Sequence, residues 1–469
     1  MIHGTQEAWA SIAVTDRPGS LAALGADLAD SAASAAQPLR LFIIDNGRGT
    51  SSASAILEIA SVLRTAGIRV QLDRATRSGG SVAESRLDQR AQVARAIAAL
   101  PPPAYVWMLD DDVRLDHAVV SDDGRYENRQ FVNPFALLRD VAVESSRPDV
   151  LLGVVTGDPP IPPVATYASR YADLLNIVER LFALDPAAPW LAQPRAARRL
   201  AERDHYYDFS DARTDGYAYA DWFASVAATT VADVATEVLA AAADIPFGVA
   251  FSRPLVQRSH TAHDAPGIVR GASAAFFDLQ AFVEHPYPST IIADVPTRRC
   301  DTLGARILRR RGRSVAARPG FAVRHVRVRD PEHFPTSERL AADILGDTFG
   351  ACLTRVIDRD PSLARSAATD FLRPRAERIA GCMRGVHALL PALSGILARA
   401  PSWLPAGDVG RLLESMRKLR AVLPLTRDGE LAPVLAAALR DEGNIEHLVA
   451  FGRRLADHHD LEAVDHVGA

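Results

Sequence analysis

Three consecutive aspartates, Asp110, Asp111 and Asp112, follow directly on an apolar run at residues 105–109. The run is typical of a buried strand, and apolar character resumes at Val113. Adjacent carboxylates at a strand end repel one another and lose water, so a chain that keeps them usually offers them a cation. Hard ions such as Mg²⁺ and Mn²⁺ take oxygen ligands and leave positions open for phosphate oxygens. We therefore predict a metal and diphosphate site at the C-terminal end of a parallel strand; a solvated acidic turn is the alternative.

Polar groups also follow the two earlier long strands that the sequence predicts, at residues 9–15 and 39–44. They are Thr15, Asp16 and Arg17 at the end of the first strand, and Asp45 and Asn46 after the second. In a parallel sheet these strand ends share one rim. We therefore expect their side chains to meet the aspartate triplet around one crevice.

Helices are predicted between these strands. The predicted elements are helices at residues 21–30 and 53–66, a strand at residues 68–72, and a helix that opens at Gly79, Gly80 and Ser81. The last helix carries Arg86 and ends before Pro101. Strands that alternate with helices at this spacing favour a doubly wound parallel sheet, and so an α/β fold.

The composition is that of an ordinary globular protein of two or three domains, with 469 residues of which 48% are hydrophobic. Its 53 basic and 57 acidic residues nearly balance, so we expect no general attraction to nucleic acid. The three cysteines show no metal-binding spacing and fit a reducing cytoplasm. No signal peptide or transmembrane segment is predicted, which favours a cytoplasmic location.

Several short motifs, taken in order, resemble the family 2 glycosyltransferases of the GT-A fold. They lie at residues 13–18, 43–47, 109–112, 271–277, 298–306, 312–315 and 323–325. The third is similar to the family's DxD metal motif, and the fourth to its small-residue acceptor loop. The resemblance implies a Rossmann-like nucleotide-diphosphosugar transferase domain at residues 1–330, with an insertion at about residues 156–269. Polar and aromatic clusters at residues 204–208 and 260–264 of this insertion are candidates for an acceptor pocket or for surface packing.

The resemblance also implies roles for individual residues. A divalent cation, Mn²⁺ or Mg²⁺, is implied at Asp110, Asp112 and His325. The residues implied to bind the nucleotide diphosphosugar are Thr15, Arg17, Asp45, Arg86, Asp110 and Asp111. Asp301 is implied as the catalytic base that takes the acceptor proton, with a helix N-cap as the alternative. The implied donor is a UDP-, GDP- or dTDP-sugar, and the implied acceptor is a glycan, a lipid-linked molecule or a small molecule, with peripheral membrane contact left open.

From about residue 331 the pattern changes to helices with few strand signals. The predicted helices lie at residues 340–356, 363–372, 379–397, 409–423 and 431–439, with prolines between them. We expect a C-terminal helical domain at residues 331–469 that packs on the catalytic domain or forms a homodimer. The final His458, His459 and Asp460 favour a helix C-terminus over a metal cluster. An arginine-rich run at residues 306–313 favours a solvated helix face over an anion site.

Two other functions fit part of the pattern. A strand that runs into Asp110, Asp111, Asp112 and Val113 also matches the signature of haloacid-dehalogenase-like phosphatases, whose first aspartate is a nucleophile. Those enzymes need a later lysine, and the only lysine here is Lys418, in the helical region. A non-catalytic protein that binds a nucleotide sugar would keep the same fold.

Overall fold

The computed structural model is a mixed α/β protein and describes residues 7–15, 17–47, 49–76, 81–120, 126–129, 132–144, 147–158, 163–190, 217–219, 228–249, 255–257, 274–327, 334–359 and 361–457. Its strands are β1 (Ala8–Val14), β2 (Leu39–Asp45), β3 (Arg69–Arg74), β4 (Tyr105–Asp110), β5 (Val113–Arg114), β6 (His117–Val120), β7 (Tyr126–Arg129), β8 (Val150–Gly157), β9 (Tyr217–Tyr219), β10 (Leu255–Gln257), β11 (Ala275–Asp278), β12 (Ile291–Ile292), β13 (Val295–Pro296) and β14 (Val315–His325). Its helices are α1 (Pro18–Ser34), α2 (Thr50–Thr65), α3 (Val82–Ile97), α4 (Pro134–Ala142), α5 (Pro163–Phe182), α6 (Val231–Ala242), α7 (Leu279–Glu284), α8 (Cys300–Arg310), α9 (Ser337–Ile357), α10 (Ala364–Leu397), α11 (Ala406–Val422), α12 (Pro433–Arg440) and α13 (Glu442–Asp457).

Ten of the described strands form one mixed sheet with the order β3-β2-β1-β4-β11-β8-β10-β9, while β14 pairs with β8 and β5 pairs with β14. The predicted α/β class is confirmed, and β1 to β4 are parallel to their neighbours among these four. The strand β11 then reverses direction and is antiparallel to both β4 and β8. A fully parallel sheet is therefore wrong beyond β4, because residues 275–278 enter the sheet between β4 and β8 from a distant part of the chain and run antiparallel to both. Residues 275–277, predicted within an acceptor loop, form this central strand instead.

Side chains of the parallel strands alternate between two apolar layers. Leu41 and Trp107 face the layer that contains α1, α2 and α4. Phe42 and Met108 face the opposite layer, which contains α3, α7 and α8. Because successive side chains of a strand point to opposite faces, nearly unbroken apolar strands are what a sheet covered on both sides requires.

A third apolar core joins the C-terminal helices to the two described long helices of the predicted insertion. α5 and α6 pack in the same core as α9, α10, α11, α12 and α13. Leu303 and Ile307 of α8 belong to this core as well. Cys300 and Leu308, on the same helix, face the sheet. The helix α8 therefore lies between the sheet and the helical region.

The prolines of α10 do not end it. α10 runs without a break from Ala364 to Leu397, where two separate helices were predicted, and Pro374 and Pro391 lie inside it. Both prolines are on the exposed face of the helix, away from the side chains that pack in the helical core. The last of the described helices, α13, was not predicted.

By length and composition alone, α10 is also the one described helix that could cross a membrane. Its large apolar residues lie on one side, since Met383, Val386, Leu390 and Leu393 are buried in the helical core. A spacing of three and four residues is that of an amphipathic helix packed on a core.

Trp107→Ala is expected to destabilise the sheet core. Trp107 is fully buried, and its ring contacts Phe135, Phe276 and Phe321. Truncating a buried aromatic side chain costs about 3–5 kcal/mol, which urea unfolding followed by circular dichroism measures. Leu57→Ala, at a residue 57% exposed, is the control and should change the free energy of unfolding by less than about 0.5 kcal/mol. A loss below about 1 kcal/mol for Trp107→Ala would contradict the packing described.

Candidate functional site

The carboxyl ends of β1, β2 and β4 bring the predicted residues to one edge of the sheet. Val14 pairs with Asp45, and Ala13 pairs with Asp110. β2 and β4 lie on opposite sides of β1, so this edge is a switch point of the kind at which open α/β sheets bind ligands. The predicted convergence of the strand ends is confirmed for these residues, while Asp16 lies outside the described part of the chain.

Asp112 is a buried carboxylate with two basic partners. Its Oδ2 atom lies 2.6 Å from Nη1 of Arg17 and 3.2 Å from Nε2 of His325. The other ring nitrogen of His325, Nδ1, lies 2.8 Å from the carbonyl oxygen of Asp158. Because a carbonyl oxygen can only accept a hydrogen bond, Nδ1 carries a proton and Nε2 is directed at Asp112.

Asp111 is buried against the end of β1. Its Oδ2 atom accepts a hydrogen bond from the backbone N–H of Thr15 at 3.0 Å. Burial and the charge of Asp112 raise the pKa of Asp111 above its usual range. Burial also acts to raise the pKa of Asp112, but His325 and Arg17 outweigh it and lower that pKa. The negative charge of the pair therefore resides mainly on Asp112, and a solvated acidic turn does not describe these two residues.

Arg86 joins the aspartate triplet to Asp301. Its guanidinium forms an ion pair with Asp110, and its Nε atom lies 3.7 Å from Oδ1 of Asp301. Its Nη1 donates to Oε1 of Gln89 at 2.9 Å and to the carbonyl oxygen of Leu109 at 3.2 Å. Burial acts to lower the pKa of Arg86, but Asp110 and Asp301 outweigh it and raise that pKa. With 2% of its side chain exposed, Arg86 is a fixed positive charge between two carboxylates, where a contact with diphosphate was predicted.

The first turns of α3 and α8 hold these groups in place. Ser81 and Glu84 form a capping box at the start of α3, in which each side chain accepts a hydrogen bond from the backbone N–H of the other. Asp301 is the second residue of α8 and follows the N-cap, Arg299, by two positions, so it is not the cap itself. The side chains of Asp301 and Asp110 are 17% and 37% exposed, although Oδ1 of Asp301 is itself buried.

The end of β2 is closed by its own side chains. Oδ1 of Asp45 accepts a hydrogen bond from the backbone N–H of Gly47 at 2.9 Å. Nδ2 of Asn46 donates to the hydroxyl of Ser85 at 2.6 Å and so links β2 to α3. Asp45 and Asn46 are both buried. The hydrogen bond to Gly47 therefore uses part of the capacity of Asp45, which was predicted to bind the nucleotide.

Asp158 belongs to the site although the sequence analysis did not select it. It follows β8, orients His325 through its carbonyl, and accepts a hydrogen bond from the backbone N–H of Arg327 at 2.7 Å. The strand-end rule that identifies Asp45 and Asp110 would also identify Asp158. The prolines that follow Asp158 in the sequence favour the start of a loop insertion, and this stronger local signal led to the prediction of a loop instead of a functional strand end.

The arginine-rich end of α8 is engaged in contacts within the protein. These contacts are Arg306 with Asp358, Arg310 with the carbonyl of Ile357, Arg311 with the carbonyl of Glu284, and Arg313 with Glu284 and Asp149. They favour a structural role over an anion site. Other predicted features lie outside the described residues: Gly79, Gly80, residues 271–273, the clusters at residues 204–208 and 260–264, and His458, His459 and Asp460.

The residues predicted to hold a divalent cation are only partly brought together. Asp112 and His325 adjoin, and Asp158 orients the imidazole in the way that metal-ligating histidines are commonly held. Asp110 instead pairs with Arg86, and within the described ranges no three His, Cys, Asp or Glu side chains form a metal-ligating group. Of the three predicted ligands, Asp112 and His325 therefore lie together, and carboxylate and imidazole are side-chain types that can ligate a divalent cation.

Comparison with other proteins leaves the function to be argued from this geometry. No protein-family model matches the chain, and no curated protein gives a significant match to its sequence. The family resemblance of the motifs therefore stays a prediction, and the roles of the residues can be inferred only from their contacts in the structure.

A buried histidine, His285, follows α7 and packs against α8. Its ring stacks on that of Tyr287, with 4.0 Å between centroids, and packs so closely on Gly304 of α8 that an added Cβ would lie 2.0 Å from it. Neither ring nitrogen has a hydrogen-bond partner among the described residues. Burial and the positive charges of Arg90 and Arg86 lower the pKa of His285 to about 3. The ring is therefore neutral near neutral pH.

His285 is expected to make the protein less stable in mild acid. In the unfolded chain a histidine takes up a proton below a pH of about 6.5, whereas folded His285 stays neutral down to about 3. Between these values the unfolded state binds more protons, so stability decreases as the pH is lowered, by up to about 1.4 kcal/mol per pH unit. Urea unfolding of wild type and His285→Leu at about pH 7 and 5 measures this dependence. The variant should show a shallower slope, and equal slopes would contradict the account.

Proposed function

We propose that this protein is a metal-dependent, inverting glycosyltransferase that moves a sugar from a nucleotide diphosphosugar to an acceptor hydroxyl. The observation that carries the proposal is the pairing of Arg86 with both Asp110 and Asp301. An acidic strand end suited to a diphosphate and its cation thereby adjoins a partly exposed carboxylate suited to an acceptor. Both lie at the edge of the sheet where α/β proteins place their ligands.

The departing nucleoside diphosphate gathers negative charge, and the site has positive groups to meet it. The Arg17 side chain is 36% exposed, so its guanidinium can turn from Asp112 toward phosphate oxygens. A Mn²⁺ or Mg²⁺ ion held by Asp112 and His325 would supply further stabilisation of that charge. Asp112 is suited to this role because its lowered pKa keeps it ionised.

Asp301 is the proposed base. In an inverting displacement the acceptor oxygen bonds to the anomeric carbon while the bond from that carbon to the diphosphate oxygen breaks, and the acceptor hydroxyl gives its proton to the base. Nε of Arg86 lies 3.7 Å from Oδ1 of Asp301, so the carboxylate of the proposed base has a positive charge beside it. When Asp301 takes the proton, Arg86 is still neutralised by Asp110, so no buried charge is left without a partner.

The phosphatase alternative has less support from the site. An aspartate that attacks phosphorus needs a free carboxylate, whereas Asp110 is paired with Arg86. The lysine that such an enzyme requires would have to be Lys418, which lies in α11, 3.7 Å from Glu414. A non-catalytic protein would bind the nucleotide sugar without turnover, and that measurement separates it from the enzyme.

The proposal extends to the partners that the motif resemblance implies. The donor is a UDP-, GDP- or dTDP-sugar, and the acceptor is a glycan, a lipid-linked molecule or a small molecule with a free hydroxyl. A GT-A fold, a cytoplasmic location and a homodimer through the helical region belong to the same proposal. Loops set the choice of substrate, so the site supports a reaction class and not a particular sugar.

UDP or GDP is expected to raise the Tm only when Mn²⁺ or Mg²⁺ is present. A ligand at about 100 times its Kd stabilises the folded state by about 2.7 kcal/mol, which corresponds to a shift of about 2 °C or more. Thermal denaturation with each nucleotide, in metal and in EDTA, measures the shift. Asp112→Asn should abolish it, because the variant removes the charged ligand.

Asp116→Asn is the matched control for that substitution. Asp116 is a partly buried carboxylate that, like Asp112, forms an ion pair with an arginine, in this case Arg324, and the control should keep the nucleotide shift. A shift that survives EDTA or Asp112→Asn would contradict the metal assignment. The absence of any response to any nucleotide would contradict the proposed function.

Asp301→Asn is expected to stop sugar transfer while nucleotide binding continues. Asparagine keeps the shape of the side chain but cannot take up the acceptor proton. We expect kcat to fall by about 100-fold or more, and the nucleotide Kd to change by less than about threefold. Nucleotide release from a panel of nucleotide sugars, followed by calorimetry with the nucleotide product, measures both. A variant that keeps the kcat of the wild type would exclude Asp301 as the base.

A further inference from the structure

The position of Asp301 depends on the helical region as well as on the sheet. Asp301 lies in the first turn of α8. Cys300 and Leu308 hold this helix against the sheet layer, while Leu303 and Ile307 hold it in the core of the C-terminal helices. A change on either side can therefore move the carboxylate.

The turn before α8 is anchored to α9 by a buried ion pair. Nε and Nη2 of Arg299 lie 2.9 Å and 3.1 Å from the two carboxylate oxygens of Asp347. The two side chains are 8% and 6% exposed. A second arginine, Arg375 of α10, lies 3.4 Å from the same carboxylate. Buried ion pairs are weak evidence for stability, and fixing geometry is a better-attested use of them.

Arg299 has a backbone conformation that few residues with a side chain adopt. It is the N-cap of α8, with a φ of 70° and a ψ of 28°, in the left-handed region. Such a conformation persists in a residue other than glycine only where the surroundings hold it. The two-pronged contact with Asp347 is such a constraint, and it acts on the residue from which α8 starts.

Two glycines of α9 bring the same turn into contact with the helix backbone. A Cβ added at Gly350 would lie 2.2 Å from the carbonyl oxygen of Arg298, and one added at Gly346 would lie 2.7 Å from that of Pro296. The backbone N–H of Arg298 donates to the carbonyl of Gly346 at 2.9 Å. Turn and helix therefore meet without room for a side chain between them.

We propose that Asp347 is a positioning residue for Asp301, and that α9 thereby makes the helical region part of the active-site scaffold. The inference rests on the proposed function, in which Asp301 is the base. Asp347 acts through Arg299: it fixes the start of α8, and the helix places Asp301 3.7 Å from Arg86. Without this anchor the first turn of α8 can shift, and a displacement of about 1 Å at a reacting group lowers the rate by about 100-fold.

Asp347→Asn and Arg299→Met test the proposal, with Arg375→Met as the matched control. Each removes one buried charge from the same cluster, but Arg375→Met leaves the contact between Arg299 and Asp347 in place. In the first two variants we expect amide hydrogen exchange at residues 299–304 to rise by about tenfold or more. Their kcat should fall by about 10- to 100-fold, while the donor KM and the nucleotide Kd stay within about twofold. For Arg375→Met, exchange and kcat should stay within about threefold of the wild type even if the Tm falls.

Gly350→Ala provides a second test if Asp347→Asn fails to fold. The added methyl group meets the backbone of Arg298 and should produce the same pattern of exchange and turnover by pushing the turn away. Unchanged exchange at residues 299–304 in the folded variants overturns the proposal. An equal loss of kcat in Arg375→Met also overturns it, since the cluster would then serve stability alone. If the wild type transfers no sugar although exchange responds as expected, the glycosyltransferase assignment fails and the anchoring of α8 by Asp347 stands.

Discussion

The buried guanidinium of Arg86 needs carboxylates beside it, and this need organises the candidate site. A buried charge without partners is strongly unfavourable. Asp110 at the end of β4 and Asp301 in α8 therefore flank a side chain that comes from α3. The elements α3, β4 and α8, from distant parts of the chain, thus each contribute one charged side chain to the same ion-pair cluster. Movement of α3 would separate Arg86 from both carboxylates, so the cluster favours one arrangement of α3 against this edge of the sheet and α8.

A second charge cluster, around Asp112, shares this edge but differs in character. His325 is buried and oriented by the carbonyl of Asp158, whereas Arg17 remains partly exposed. The edge therefore has a rigid half at Arg86 and a half at Arg17 that a bound anion can rearrange. That combination suits the ligand of the proposed reaction, whose charge changes during transfer, because the fixed half would position it and the adaptable half would follow the charge.

Strands and helix starts were predicted correctly where neighbouring residues in the sequence determine them. The apolar runs of β1, β2 and β4 and the cap of α3 at Ser81 all depend on a few neighbouring residues. The errors occur where distant packing decides. Pro374 lies between two predicted helices, yet α10 continues through it because its buried face packs on α5 and α9 and the proline faces outward. Residues 275–278 have the small and aromatic side chains of a loop or a strand, and only their fit between β4 and β8 makes them a strand.

By itself the sequence determined the order of strands and helices at the N-terminal end and the acidic strand ends, because periodicity and polarity at a strand end are properties of consecutive residues. Only the tertiary structure decided which charges pair. Arg86 lies between Asp110 and Asp301 where a bound diphosphate was predicted, and Asp347 anchors the turn before α8 although nothing in its own segment indicates it. The physical reason is that an ion pair depends on the distance between atoms, and strand order and helix packing set that distance between segments far apart in the chain.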